Sequence, residues 1–377
     1  MRRIVSRLGS NRYAHAARWT AGEFVHRRLG DGLLDSVARA RRERERPHQS
    51  DKSGRSGAEA AEQSADHRIR PFHLDGASSA PPFRPVPMAS ASNPVLTASD
   101  VTDYGAVDLV ADPFLYVPET GPWRLFFEVY NRDRRPTGVV GHATSTDRGR
   151  SWEYDRVVLK DKIHLAFPYI FKLEETFYMV PDRWNRERPA TVRLFETDSL
   201  PGGWRPVSTV VDPDRQLADC VLFRWNDLWW AMLGSDDGNH DLCLYYSDDL
   251  LRDGWTPHER NPVAPDRPEA GRPAGRPIVT EDGIVVFFQD CAAQYGDKVR
   301  AFDVEELSPT AYADRERPES PILEGSNRRL GWNSGRMHHI DPWYTADGWR
   351  CAVDGNVGWG GRAFGPNHWS LGMYEVR

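Results

Sequence analysis

A chain of 377 residues with 39% hydrophobic content can bury a sizeable core, in one large domain or two ordinary ones. Its 49 Lys and Arg stand against 55 Asp and Glu, and that acidic balance argues against nucleic acid as a ligand. No apolar run reaches the roughly 18 residues of a membrane span, so no transmembrane helix is expected.

The first element in chain order is basic. Residues 1–47 hold 12 Arg and 5 acids, and Trp19, Phe24, Val25, Leu29, Leu33, Leu34 and Val37 recur at the helical period. The "GDG" at 30–32 divides this segment into two helices. Its start, "MRRIVSRLGSNRYAHAARW", lacks the apolar core and cleavage site of a secretory signal, so a cytoplasmic location is expected. Such a segment packs on the rest of the protein or on a partner, or makes weak contact with an anionic membrane surface. Residues 48–95 follow, rich in Ser, Gly, Ala and Pro and poor in large apolar side chains. They are expected to form a disordered linker.

From residue 96 to 377 the text consists of short strands, and it repeats. The opening strands align as Asp112-Pro-Phe-Leu-Tyr, Phe167-Pro-Tyr-Ile-Phe, Asp219-Cys-Val-Leu-Phe, Gly275-Arg-Pro-Ile-Val and His339-Ile-Asp-Pro-Trp, spaced by 55, 52, 56 and 64 residues. Second strands follow as "WRLFFEV", "TFYMVP", "LWWAMLG", "IVVFFQD" and "WRCAVDG". Three units close on a turn and a packing Trp: Trp152, Trp204 and Trp255. A period near 50 with about four strands per unit predicts an all-β fold, a five-bladed β-propeller preceded by the helical, partly disordered extension.

In a propeller the starts of the innermost strands converge on one funnel. Asp112, Asp219, His338, His339 and Asp341 fall at such positions, and Glu128, Asp182 and Asp290 end second strands. Two carboxyls flanking a sugar are the minimal apparatus for glycoside hydrolysis. Asp112 with Asp219 or Asp182 is therefore the candidate acid/base pair. Glu128, Arg272, Arg276, Gln289, Asp290, Tyr295, His338, His339 and Asp341 are candidate ligand contacts, with Arg suited to carboxylate or phosphate and His to proton transfer. Because alternate strand residues face opposite ways, one ring of the His338–His339 pair is expected in the channel, His339 being favoured. The four cysteines sit singly in strand-like runs without CxxC spacing and read as reduced, buried small hydrophobes. The chain carries no GxGxxG, P-loop, HExxH or GxSxG pattern, and neither a cofactor nor a metal is expected.

In order, "ADPFLY…FFE", "HLAFPYIF…FYMVPD", "DCVLF…LWWAM", "AGRP…FFQDCAAQYGDKV" and "GRMHHID" resemble the N-terminal domain of glucosamine inositolphosphorylceramide transferases and its stand-alone microbial relatives. That domain is similar in turn to the five-bladed propellers of glycoside hydrolase families 43 and 32. The resemblance covers about residues 100–377. It implies that Asp112 is the blade-one base or nucleophile. Relatives usually carry Glu on blade two where this chain has the shorter Asp182. It also implies that sugar transfer in the plant proteins belongs to a separate glycosyltransferase domain with its own metal-binding acids, outside the matched residues. The expected function is action on a carbohydrate or glycolipid by a glycosidase-like site. The alternative is a non-catalytic glycan-binding or scaffold module partnering a separate glycosyltransferase.

Overall fold

The structure, a computed structural model, describes residues 83–326, 328, 331–358 and 368–376. The basic segment and most of the expected linker lie outside the described residues. Among those described there is no α-helix, only a 3-10 turn at Ala98–Asp100.

The chain enters through a short strand, β1 (Pro85–Pro87). Blade one is β2 (Leu109–Tyr116), β3 (Trp123–Tyr130), β4 (Gly138–Ser145) and β5 (Glu153–Leu159). Blade two is β6 (His164–Leu173), β7 (Thr176–Trp184), β8 (Val192–Thr197) and β9 (Arg205–Val211). Blade three is β10 (Leu217–Trp225), β11 (Leu228–Ser235), β12 (Leu242–Ser247) and β13 (Thr256–Pro257). Blade four is β14 (Ile278–Val279), β15 (Ile284–Asp290), β16 (Lys298–Leu307) and β17 (Tyr312–Glu316), with β18 (Leu323–Glu324) paired to β16. Blade five is β19 (Ile340–Thr345), β20 (Gly348–Asn356) and β21 (Trp369–Val376), completed by β1 at its outer edge. All the pairings are antiparallel meanders, and together they form a five-bladed propeller.

Closure by β1 corrects one boundary. Residues 83–95 were expected in the linker, yet Phe83, Met88 and Val95 are buried and Pro85–Pro87 pairs with Val376–Tyr374. Three apolar anchors in a Pro-rich stretch suffice because an edge strand needs hydrogen bonds on one side only, and that tolerates proline.

The aligned repeat positions share a backbone peculiarity. Asp112, Phe167 and Asp219 all have positive φ (51°, 42° and 58°). Each sits inside a bulge of its inner strand, between Ala111 and Phe114, Ala166 and Tyr169, or Ala218 and Val221. Asp adopts left-handed backbone more readily than most residues, whereas Phe167 does so against its preference. In blade four the position is Gly275, φ 143°, where an added Cβ would lie 1.8 Å from the carbonyl oxygen of Ile340. The bulge re-aims the side chain toward the propeller axis.

Below these bulges the channel is plugged. Arg276 and Asp341 have no exposure and pair at 2.8 Å. Arg276 also donates to the carbonyl of Ile170 at 2.9 Å, while Asp341 accepts from the backbone N–H of Leu115 at 2.6 Å. The guanidinium lies over the rings of Tyr169 and Trp343, 5.1 and 5.2 Å from their centroids. Phe114 packs edge-on to Phe167, Tyr169 and His339. The pair ties blades four and five to blades one and two.

Candidate functional site

Two tiers of side chains line the funnel. The upper strand of the axis supplies Asp112, Asp219 and His339 at aligned positions. The second strands supply a tier that follows from register. At or one residue after the start of each stands Trp123, Phe177, Trp229, Ile284 or Trp349, and five positions later stand Glu128, Asp182, Gly234, Gln289 and Asp354. Glu128 pairs across from Ala111, Asp182 from Ala166 and Gly234 from Ala218, so the tier members sit beside the bulges.

On the side of blades one and five, Asp112 is 7% exposed. Its Oδ1 lies 3.9 Å from His338 Nε2 and 3.8 Å from His339 Nδ1. Both rings therefore approach it, against the expectation that only one would. The reason is that β19 begins at Ile340, leaving the His pair in irregular backbone where strand alternation does not apply. Asp354 is fully buried and bonds to His338 Nδ1. The His338 ring stacks on Trp369 with centroids 4.1 Å apart, and Tyr295 meets it edge-on at 5.5 Å.

Around blades two, three and four, Asp219 is 2% exposed. It accepts from the Nε of Arg272 and, at 2.8 Å, from Gln289 Nε2. Arg272 also reaches Asp236 at 2.7 Å and lies 5.3 Å over the Tyr295 ring, which is 46% exposed at the rim. Half-buried Asp182 stands beside this group. Glu128 pairs with His164 at 3.1 Å, and the His164 ring meets Tyr130 and Trp184. Trp184, 38% exposed, borders a depression of about 290 Å³ with Arg186, Arg188, Gln216 and Asp236.

The electrostatics follow from crowding. Burial, then the charges of Glu128, Asp354 and Asp219, push Asp112 well above the usual carboxyl range. Burial and the charge of Asp219 raise Asp182 to about 8. Burial also raises Asp219, opposed by the Arg272 guanidinium. Asp354 ends below its ordinary value, because His338 and backbone N–H groups outweigh its burial. For His164, burial works downward, but the Glu128 hydrogen bond and charge leave it raised. Burial lowers His339 to about 3, so its ring is neutral.

Asp112, Asp182, Asp219, Glu128, Arg272, Gln289, Tyr295, His338 and His339 are thus brought to one funnel. Three expected contacts are not. Arg276 and Asp341 form the buried plug, paired with each other and bonded to backbone through Arg276 Nη2 and Asp341 Oδ2, while Arg276 Nη1 has no hydrogen-bond partner among the described residues. Asp290 turns outward to Arg300 at 2.8 Å and to the backbone of Ala292, holding the strand end. Residues missed by sequence reasoning are Asp354, His164, Asp236, Trp369 and Trp184. Asp354 had a legible signal, since Trp349 precedes it by the same five residues that separate Trp123 from Glu128.

Asp112, His338 and Asp354 also lie close enough to share a cation. Asp354 is already heavily engaged: its Oδ1 accepts from the backbone N–H of His338 and His339 and from His338 Nδ1, and its Oδ2 from the backbone N–H of Asp112.

A family model described as "Glucosamine inositolphosphorylceramide transferase 1, N-terminal" matches residues 74–356. The protein of that name from Oryza sativa subsp. japonica is 33% identical over 299 residues, covering 76% of this chain and 38% of its own length. Its Arabidopsis thaliana counterpart is 30% identical over 259 residues, 66% of this chain and 32% of that protein. The chain therefore spans about a third of the length of these relatives. Among solved structures, the catalytic domain of a Coprinopsis cinerea GH62 α-L-arabinofuranosidase superposes with a TM-score of 0.59 at 12% identity, covering 78% of this chain and 97% of that one. A thermostable family-43 glycoside hydrolase gives 0.55 at 14% identity, with 74% and 96% covered. The structural likeness concerns the fold alone; on the sequence match, this chain belongs to the glucosamine inositolphosphorylceramide transferase N-terminal family.

Proposed function

We propose that the funnel binds the sugar of a glycan or glycolipid and works on it as a glycosidase-like acid/base set. One observation carries this reading: Asp112 of blade one and Asp182 of blade two both lie close enough to Asp219 of blade three for its charge to raise their proton affinity. Two-carboxyl hydrolysis needs a proton-carrying acid and an ionised partner. Among the described residues Asp182 and Asp112 form no ion pair with Arg or Lys, and burial with the charge of Asp219 raises both, so they suit the first role; Asp219, gripped by Arg272, suits the second. Tyr295 and Trp184 at the rim offer aromatic faces to a sugar ring. The test is release of sugar from a panel of aryl glycosides and glycolipids. Wild type is expected to turn over at least one, and Asp182→Asn or Asp219→Asn to lower the rate by roughly 100-fold or more.

A second reading is favoured by the transferase name that the matching family and relatives carry. In it the propeller recognises a glycan for chemistry done by a separate glycosyltransferase. Binding without turnover of any substrate in the panel selects this reading over the first.

A further inference from the structure

Three large hydrophobic side chains are exposed among the described residues: Trp184, Tyr295 and Leu251. The first two border the funnel. Leu251, 46% exposed, stands away from it, on a groove of about 330 Å³ between blades two and three. Leu173, Tyr178, Trp229 and Leu250 supply the rest of the groove's apolar lining. Glu174, Asp248 and Asp249 add three carboxylates against one cation, Arg224. Strand order shows which face this is. First strands begin and second strands end at the funnel tier, as the pairing of Ala111 with Glu128 shows. The turns joining first to second strands, and third to fourth, therefore lie on the opposite face. Glu174 and the run Asp248–Leu251 belong to such turns.

That opposite face is strongly acidic. The first-to-second turns, residues 117–122, 174–175, 226–227, 280–283 and 346–347, hold seven acids and no Lys or Arg. The third-to-fourth turns, 146–152, 198–204, 248–255 and 308–311, add five acids and three Arg. On the funnel side, the second-to-third loops of blades one to four are nearly balanced, with six acids and five Arg. An apolar groove set in an anionic face suits a partner that is both apolar and cationic. The chain itself carries one: Leu33, Leu34 and Val37 are followed by five Arg between positions 39 and 46. We propose that the groove is the docking site of this Arg-rich segment, its Leu33, Leu34 and Val37 set against Leu251 and Trp229 and its Arg over the acidic turns. Residues 47–82 join the segment to Phe83, and 36 residues can span up to about 120 Å. A body of roughly 290 residues has a radius of gyration of about 19 Å, so the segment reaches this face from the chain's entry at β1. Tethering favours the chain's own segment over a free basic partner or a second copy. An anionic membrane attracts the same Arg, but the acids of this face repel it. Docking here leaves the funnel open.

The proposal does not depend on what the funnel binds. The full chain, with benzoylphenylalanine in place of Leu34, is irradiated alone and with vesicles of phosphatidylserine and phosphatidylcholine. The crosslinked peptides are identified by mass spectrometry. Crosslinks within one chain to residues 173–178, 224–229 or 248–251 are expected, with and without vesicles. A second probe at Val37 covers the loss of Leu34 as an anchor. Leu251→Arg, at an exposed position outside the funnel, is expected to lower the yield by about 10-fold, since it removes an apolar contact and adds a like charge. Crosslinks to funnel-side loops, crosslinks only between chains, or transfer to lipid when vesicles are added each overturn the proposal. So do the absence of any protein crosslink from both probes and a yield that Leu251→Arg leaves unchanged.

Discussion

Asp182 forms no ion pair among the described residues, and its carboxyl is held up to about 8 by burial and by the charge of Asp219. The folded protein therefore binds more protons than the unfolded chain between the ordinary value of 3.8 and about 8. The stabilising contribution is complete below 3.8 and is lost as pH rises through about 8. Asp182→Asn removes that loss. The variant is expected to gain ~1–3 kcal/mol over wild type at pH 8.5, the equivalent of one to two pKa units, and almost nothing at pH 4. Urea denaturation at the two pH values measures the difference; an equal effect at both would mean that Asp182 does not titrate as described. The Arg272 contact with Asp219 explains why these two neighbouring acids differ, one carrying a cation and the other facing a second carboxyl.

Among the elements, β1 and the axial plug hold the disc closed. Phe83 packs against Phe287 at 5.3 Å and edge-on to Trp349 at 5.6 Å, anchoring β1 between blades four and five. Phe83→Ala is expected to cost about 3–4 kcal/mol by calorimetry, as a buried aromatic truncation does. Arg276→Met leaves Asp341 buried without its partner and should cost ~3–5 kcal/mol, most of it restored by the double variant Arg276→Met with Asp341→Leu. A double variant no more stable than the single would assign the loss to the cation contacts with Tyr169 and Trp343. The blade repeat was legible because each inner strand carries or follows an aligned residue, and the alignment singled out Asp112 and Asp219, which lie close enough for the charge of Asp219 to act on Asp112. It could not separate Asp341 from them, since depth along the axis depends on the bulges, which leave no mark in hydrophobic pattern. Arg276 was misjudged for the same reason. β1 was hidden because a three-residue proline-flanked strand has neither period nor propensity, and its partner, β21, lies at the far end of the chain.

At the scale of the whole molecule, one face of the disc carries the funnel, and the Arg-rich segment at residues 1–47 lies outside the described residues. That segment's apolar period and 12 Arg predict a helix that packs on protein, with an anionic membrane surface as the competing partner. Flotation on anionic vesicles with and without residues 1–50 separates them: equal flotation of both forms is expected if the segment packs on protein, and its loss on truncation if it meets lipid. The central claim is that the funnel is a sugar site, and sugar-induced thermal stabilisation of the full chain tests it most directly. Across a panel of monosaccharides and glycolipid headgroup sugars, at least one is predicted to raise the melting temperature of wild type. Asp219→Asn and Trp184→Ala should abolish that shift without unfolding the protein. A sugar that stabilises wild type and both variants equally would place its site elsewhere and contradict the account.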